Sequence, residues 1–221
     1  MTTKNIGGPS LPGDPYYTPD WCVGQCLKHV IPAVCPHPQK ILEPGAGGGA
    51  FVRGFRSAFP KSNIVALDID PKAGPWPEAD ISLTEMNYCD ERYGIDVAGW
   101  EHLDPDHPFD LAVGNPPFSL AEIFIENSLK RTRVLCFLLR QGFLSSGKRN
   151  SFWRSNPPSS VWIIPDRPKF LENAKHGDSC DYAWVVWTNY VEEAHGRQNT
   201  NPVLSGTTLH WLPSLPKEAR K

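Results

Sequence analysis

Apolar residues in this chain fall into two patterns, short unbroken runs and longer stretches spaced by three or four positions. Near the N-terminus, Asp20 is placed to cap a short helix from Trp21 to about Ile31, and Pro32 should end it. Lys40-Ile41-Leu42 is a short strand that runs into the Gly-rich turn Gly45 to Gly49. Ala50 to Phe59 follows with Phe51, Val52, Phe55 and Phe59 at helical spacing, closed by Pro60. Asn63 to Ile69 reads as a buried strand, whereas Pro71 to His107 is turn-rich and predicts loop with short elements. Phe109 to Val113 is the next strand, and Ser119 is placed to cap a helix reaching about Lys130, with Glu122 as its first-turn acid. Arg133 to Leu139 is a continuous apolar run of the kind that parallel sheets bury on both faces. A basic, Ser-rich segment from Gly142 to Ser160 predicts a loop around a short helix near Phe152 and Trp153. Val161 to Ile164 and Tyr182 to Trp187 complete the strands. Strands alternating with helices predict an α/β fold with a mainly parallel sheet and helices on both faces. The expected layout is a flexible arm over 1–14, one domain over 15–190 and a poorly ordered or extended tail over 191–221.

Composition adds limits to this picture. With 221 residues and 40% hydrophobic content, the chain can bury a sizeable core. No apolar run approaches ~18 residues, and the first fourteen positions lack the apolar centre of a secretory signal. Six Cys are too sparse for a disulfide scaffold, so reduced thiols in the cytoplasm are expected. The net charge of −2 hides a division along the chain. Asp68 to Asp110 holds twelve acids against Lys72 and Arg92, whereas Lys130 to Lys175 holds ten bases against Asp166 and Glu172. The later half is therefore the candidate for a surface that faces a polyanion.

The first chemical signal is Glu43-Pro44-Gly45-Ala46-Gly47-Gly48-Gly49-Ala50 between a strand and a helix. Glycines there let a ligand approach the backbone and meet the amides that open the helix. Asp68 ends the following strand, where a carboxylate can accept hydrogen bonds from a ribose diol. Gly45, Gly47 and Ala50 also satisfy the dinucleotide spacing, so a nicotinamide enzyme is a rival reading, and a tight turn without a ligand is another. The second signal is Asn115-Pro116-Pro117-Phe118, directly after a strand. The Asn115 amide oxygen and the Pro116 carbonyl are two acceptors aimed at one point, beside an aromatic face. That set suits a planar exocyclic amine: two acceptors for its two hydrogens and a ring to stack on.

With both signals the sequence resembles the S-adenosylmethionine-dependent N6-adenine DNA methyltransferases, especially small phage-type members, over roughly Tyr16 to Trp187. The resemblance implies a Rossmann-like S-adenosylmethionine-dependent methyltransferase fold and S-adenosyl-L-methionine as cofactor, in a bacterial or phage-infected cell. Tyr17-Thr18-Pro19 resembles the N-terminal motif that meets the methionine part, and Glu43, Pro44, Gly45, Ala46 and Gly47 resemble the glycine motif. Asp68 then takes the ribose, Ile69 packs on the cofactor adenine, and Asp90 reads its amine, with Asp80 competing for that role. Asn115, Pro116, Pro117 and Phe118 match the catalytic motif, and the order of motifs is that of the gamma-like arrangement. Tyr182 to Trp187, preceded by Arg167-Pro168-Lys169-Phe170, resembles the closing strands of phage-type members.

The implied reaction is methylation of the adenine N6 amine in DNA. RNA adenine or a protein glutamine amide is an alternative substrate, and a catalytically silent nucleic-acid-binding module is a further alternative. The chain leaves little room for a separate target-recognition domain. The basic segment Gly142 to Arg154, and within it Lys148, Arg149, Trp153 and Arg154, is then the candidate for backbone contact and base stacking. Gly142 to Arg149 nearly matches a phosphate-binding loop, but Arg149 stands where Ser or Thr must bind magnesium. Cys22, Cys26, His29, Cys35 and His37 crowd together without a C-x-x-C pair, so buried thiols are expected and no metal.

Overall fold

The computed structural model describes residues 17–89, 108–170, 177–188 and 206–220. The first helix, α1 (Asp20–Gln25), passes through a π turn (Cys26–Val30) into α2 (Ile31–Val34). Strand β1 (Lys40–Pro44) leads through the glycine turn to α3 (Ala50–Ala58), β2 (Asn63–Leu67) and β3 (Ile81–Leu83). Strand β4 (Phe109–Gly114), helix α4 (Ala121–Leu129) and β5 (Thr132–Arg140) follow. Two 3-10 turns (Gln141–Ser145 and Gly147–Arg149) precede α5 (Asn150–Ser155), β6 (Ser160–Ile164), β7 (Tyr182–Thr188) and β8 (Thr208–Trp211).

The eight strands form one sheet in the order β3-β2-β1-β4-β5-β7-β6-β8. All pairings are parallel except those of β7, which runs antiparallel to both β5 and β6. Alternate residues divide the core between the two faces, as the two-residue repeat of a strand requires. Ile41, Leu111 and Cys136 pack with Phe51, Val52 and Phe55 of α3 and with Cys22 and Cys26. Their neighbours Leu42, Ala112 and Leu135 pack with Phe124 and Ile125 of α4. The expected α/β architecture with helices on both faces is therefore present. The strand order reverses between β1 and β4, and in open α/β sheets ligands bind at the carboxyl ends of strands at such a point.

Several local expectations change. Asp20 does not cap the first helix; Pro19 takes that place in extended backbone, and Asp20 supplies first-turn charge to the helix dipole. Pro32 does not end it, because the Ile31 N–H bonds back to the Cys26 carbonyl across the π turn. That extra residue shifts the ladder just before the position that cannot donate. Ser119 caps nothing: the chain turns from Pro117, with the Leu120 N–H on its carbonyl (2.9 Å), and α4 starts after Leu120. Strand β3, three half-buried residues, is one of the short elements expected within the turn-rich segment. Of the tail over 191–221, the described stretch 206–220 joins the sheet through β8, parallel to β6, buries Leu212 and ends in a 3-10 turn at Lys217–Arg220. The arm over 1–14 lies outside the described residues.

Cys22, Cys26 and Cys136 are buried thiols, with the Cys26 and Cys136 sulfurs 3.8 Å apart. Among the described residues no helix is long and apolar enough to cross a membrane, and no group of three His, Cys, Asp or Glu is placed to hold a metal ion.

Candidate active site

At the carboxyl ends of β1 and β4 lies a partly open cavity of about 300 Å³. Its floor is the glycine turn. The Leu67 carbonyl at the end of β2 accepts the N–H groups of Gly45 and Ala46 (2.8 and 2.9 Å), which ties the turn to the neighbouring strand. Gly45, Gly47 and Gly49 have positive φ, a conformation that any side chain would strain. Gly49 also has no room: a Cβ there would lie 2.5 Å from Trp76 Cδ1. At Gly48 a Cβ would meet the Tyr17 ring at 2.9 Å, so the N-terminal segment lies directly on the turn.

Two buried acceptors are left without donors at this place. Glu43, near the end of β1, is 2% exposed. Val52 of α3 gives its backbone N–H to the carboxyl, while Oε2 has no partner. Burial pushes the Glu43 carboxyl well above the usual carboxylate range, and the charge of Asp68 adds to this; the Val52 N–H and Arg53 act in the opposite direction. The second acceptor is Asn115 Oδ1, immediately beyond β4. The Asn115 Nδ2–H donates to Thr18 Oγ1 (3.2 Å), and Thr18 is itself buried, so the amide is held with its oxygen unpaired.

Seven of the residues expected to act on a ligand line this one cavity: Tyr17, Thr18, Glu43, Gly45, Ala46, Gly47 and Asn115. Asp68 adjoins it through the glycine turn, its Oδ2 accepting the Gly47 N–H (2.8 Å) and its Oδ1 the Asp70 N–H (2.9 Å). Ile69 beside it is 63% exposed. Pro19 and Pro44 sit in the backbone next to lining residues, and Pro116 is buried behind Asn115 while Pro117 faces outwards. Phe118 carries the Arg140 guanidinium 3.7 Å from its ring centre. Arg140 is in turn fixed by Asp178 (3.2 Å) and the Tyr182 hydroxyl (3.0 Å), and that hydroxyl donates to Asp178.

Asp80 is bound elsewhere. Its carboxylate accepts the Ile64 N–H (2.7 Å) and pairs with Arg56 (2.5 Å) at the amino end of β2, away from the cavity. Asp90, the other candidate for the cofactor adenine, lies outside the described residues. Arg53, Gly48, Ala50 and Phe51 also line the cavity. Arg53 belongs to none of the motifs, although its place four residues beyond Gly49 puts it on the first turns of the helix. Trp76, whose indole N–H donates to the Gly47 carbonyl (3.0 Å), has no local signal at all.

The basic segment after β5 is largely engaged with the fold. Arg149 pairs with Glu122 of α4 (2.8 Å) and lies over the Phe143 ring. Trp153 packs against Phe143, Phe152 and Trp187 and gives its N–H to the Phe143 carbonyl (3.3 Å). Lys148 and Arg154 are exposed. Arg133, Arg140 and Arg167 are likewise paired, with Asp110, Asp178 and Asp181, so the surface is less positive than the count of bases implies.

Comparison with known proteins places the chain at a distance from its relatives. No family model matches it. It is 33% identical over 81 residues to the type II methyltransferase M.CvrRI of Paramecium bursaria Chlorella virus XZ-6E, a match covering 37% of this chain and 19% of that protein. It is 28% identical over 83 residues to the release factor glutamine methyltransferase of Aliivibrio fischeri, covering 38% of this chain and 28% of that protein. The matched stretch is thus under a third of either relative's length. A solved structure assigned as a class I S-adenosylmethionine-dependent methyltransferase from Listeria monocytogenes superposes with a TM-score of 0.62 at 13% identity, over 96% of this chain and 70% of that one. The fold is therefore the Rossmann-like fold of those methyltransferases, and the sequence carries distant, partial homology to them.

Proposed function

We propose that this chain transfers a methyl group from S-adenosyl-L-methionine to the exocyclic N6 amine of adenine in DNA. The observation that carries this reading is the Asn115 amide, pinned by Thr18 with its oxygen buried and unpaired at the rim of the glycine-turn cavity. A buried acceptor without a donor is unfavourable by about 1–3 kcal/mol, and one at the rim of a cavity can be satisfied by a ligand that donates.

The cavity fits the cofactor. Glu43 Oε2 is a free acceptor for an ammonium, and Gly47 and Gly48 leave the turn bare for close approach. Asp68 uses two of its roughly four acceptor sites on Gly47 and Asp70, which leaves others for ribose hydroxyls. Ile69 offers an exposed apolar side chain to an adenine ring. When bound, S-adenosylmethionine supplies a methyl carbon made electrophilic by its sulfonium.

The adenine amine is a poor nucleophile because its lone pair is conjugated with the ring. Asn115 Oδ1 and the Pro116 carbonyl would accept its two hydrogens, draw the nitrogen towards tetrahedral geometry and stabilise the positive charge that develops. Held so, the nitrogen would be oriented for in-line attack on that methyl carbon, with the displaced electron pair staying on sulfur and the surplus proton leaving to water. The step requires no dedicated base, and most of the acceleration would come from orientation. Phe118, one face of which carries Arg140, would border the target site with its ring.

A second reading has specific support: the same acceptors suit a glutamine amide, and one relative is a release factor glutamine methyltransferase. The exposed Lys148 and Arg154 favour a nucleic acid. Incubation with labelled S-adenosylmethionine and DNA, RNA or protein in parallel separates these readings. Label in DNA is expected; label in protein alone would overturn the substrate class.

A further inference from the structure

The cavity over the glycine turn carries a cation on one side and a buried carboxyl on the other, and the cation comes from a residue outside the motifs. Arg53 lines it, and its Nη1–H donates to the Gly48 carbonyl (2.6 Å), which holds the guanidinium against the turn. Its other terminal nitrogen meets Asp20 at 3.6 Å, a pair between two well-exposed side chains that contributes little. A guanidinium carries five N–H donors in a planar fork that matches a carboxylate, so donors remain for a ligand. Opposite Arg53 lies the carboxyl of Glu43, buried behind the turn with Oε2 unpartnered; an ammonium beside it would favour its charged form. An anion acceptor and a cation acceptor on one cavity of about 300 Å³ are complementary to a zwitterion, and an α-amino acid end is one.

Building on the cofactor site proposed above, we infer that Arg53 recognises the α-carboxylate of the cofactor's amino-acid end, opposite Glu43, which accepts its ammonium. Arg53 thereby sets specificity for ligands with an intact amino-acid end and joins the bound ligand to the Gly48 carbonyl and to α3.

Calorimetric titration of the full chain with S-adenosylmethionine, S-adenosylhomocysteine and decarboxylated S-adenosylmethionine tests this. Wild type should bind the first two more tightly than the third. Arg53→Met should weaken the first two about ten- to a hundredfold and change the third by less than about twofold. Arg53→Lys should restore part of the loss, because it keeps the charge without the fork. Equal losses for all three ligands would mean that Arg53 only supports the Gly48 carbonyl, and would overturn the inference. Unchanged affinity for all three would do the same. A wild type that binds none of them removes the proposed cofactor site itself, and the inference with it.

Discussion

The glycine turn after β1 and the basic segment after β5 both leave the same sheet, yet their polar groups are treated in opposite ways. Around the turn, Glu43 Oε2 and Asn115 Oδ1 are buried without donors, and three residues hold positive φ. After β5, Arg149 is paired with Glu122, and Trp153 has its N–H bonded and its ring packed. The first region keeps bonds unmade that a ligand can complete; the second has completed its own. Local charge density draws attention to the second region, whereas two of the four unsatisfied buried side-chain atoms among the described residues, Glu43 Oε2 and Asn115 Oδ1, lie at the first.

Removing one of those acceptors gives the largest expected effect. Asn115→Ala should lower methyl transfer by roughly a hundred- to a thousandfold, while S-adenosylmethionine affinity stays within about threefold of wild type. Transfer assays beside calorimetry read both, and near-normal transfer would erase the contrast between the two regions. Filling the turn comes next. Gly49→Ala combines a strained φ with the Trp76 contact at 2.5 Å and should destabilise the fold by about 2–4 kcal/mol, read as a lower Tm.

Glu43→Gln should act in two directions. The Glu43 pKa is raised in the folded chain, so its contribution to stability is full below the ordinary value near ~4.3 and is lost as pH rises through the folded value. The variant should therefore gain stability over wild type as pH rises, with a Tm increase of about 2–4 °C at neutral pH, the shift that ~1 kcal/mol produces at this size. Its affinity for S-adenosylmethionine should fall at the same time. A Tm difference independent of pH would contradict the account of that carboxyl. The smallest effects belong to the basic segment. Lys148→Ala and Arg154→Ala should each flatten the salt dependence of DNA binding by about one unit of slope. Arg149→Ala should instead lower stability by about 1 kcal/mol or less, because that side chain is held by Glu122 and Phe143.

Which of these features the sequence could reveal depends on how local they are. The strand–glycine–helix unit and the Asn115–Phe118 tetrapeptide are contiguous, so their spacing alone located the floor and rim of the cavity. The bond from Asn115 to Thr18 spans 97 positions, and the Trp76 bond to Gly47 spans 29. Contacts of that separation leave no local pattern, nor do the Asp178 and Tyr182 partners that hold Arg140 over Phe118. Pro32 misled because a π turn absorbed it, and β8 was hidden because its exposed Leu209 and Trp211 break the pattern of a buried strand. The acid chosen for the cofactor adenine, Asp90, falls outside the described residues, whereas the alternative Asp80 is committed to Arg56.

The central claim is that the Asn115 acceptor faces an adenine amine. Nucleoside analysis of DNA treated with the wild-type chain and labelled S-adenosylmethionine tests it most directly. The label is predicted in N6-methyl-2′-deoxyadenosine; label in a methylated cytosine, or none in DNA from a chain that binds the cofactor, would contradict it.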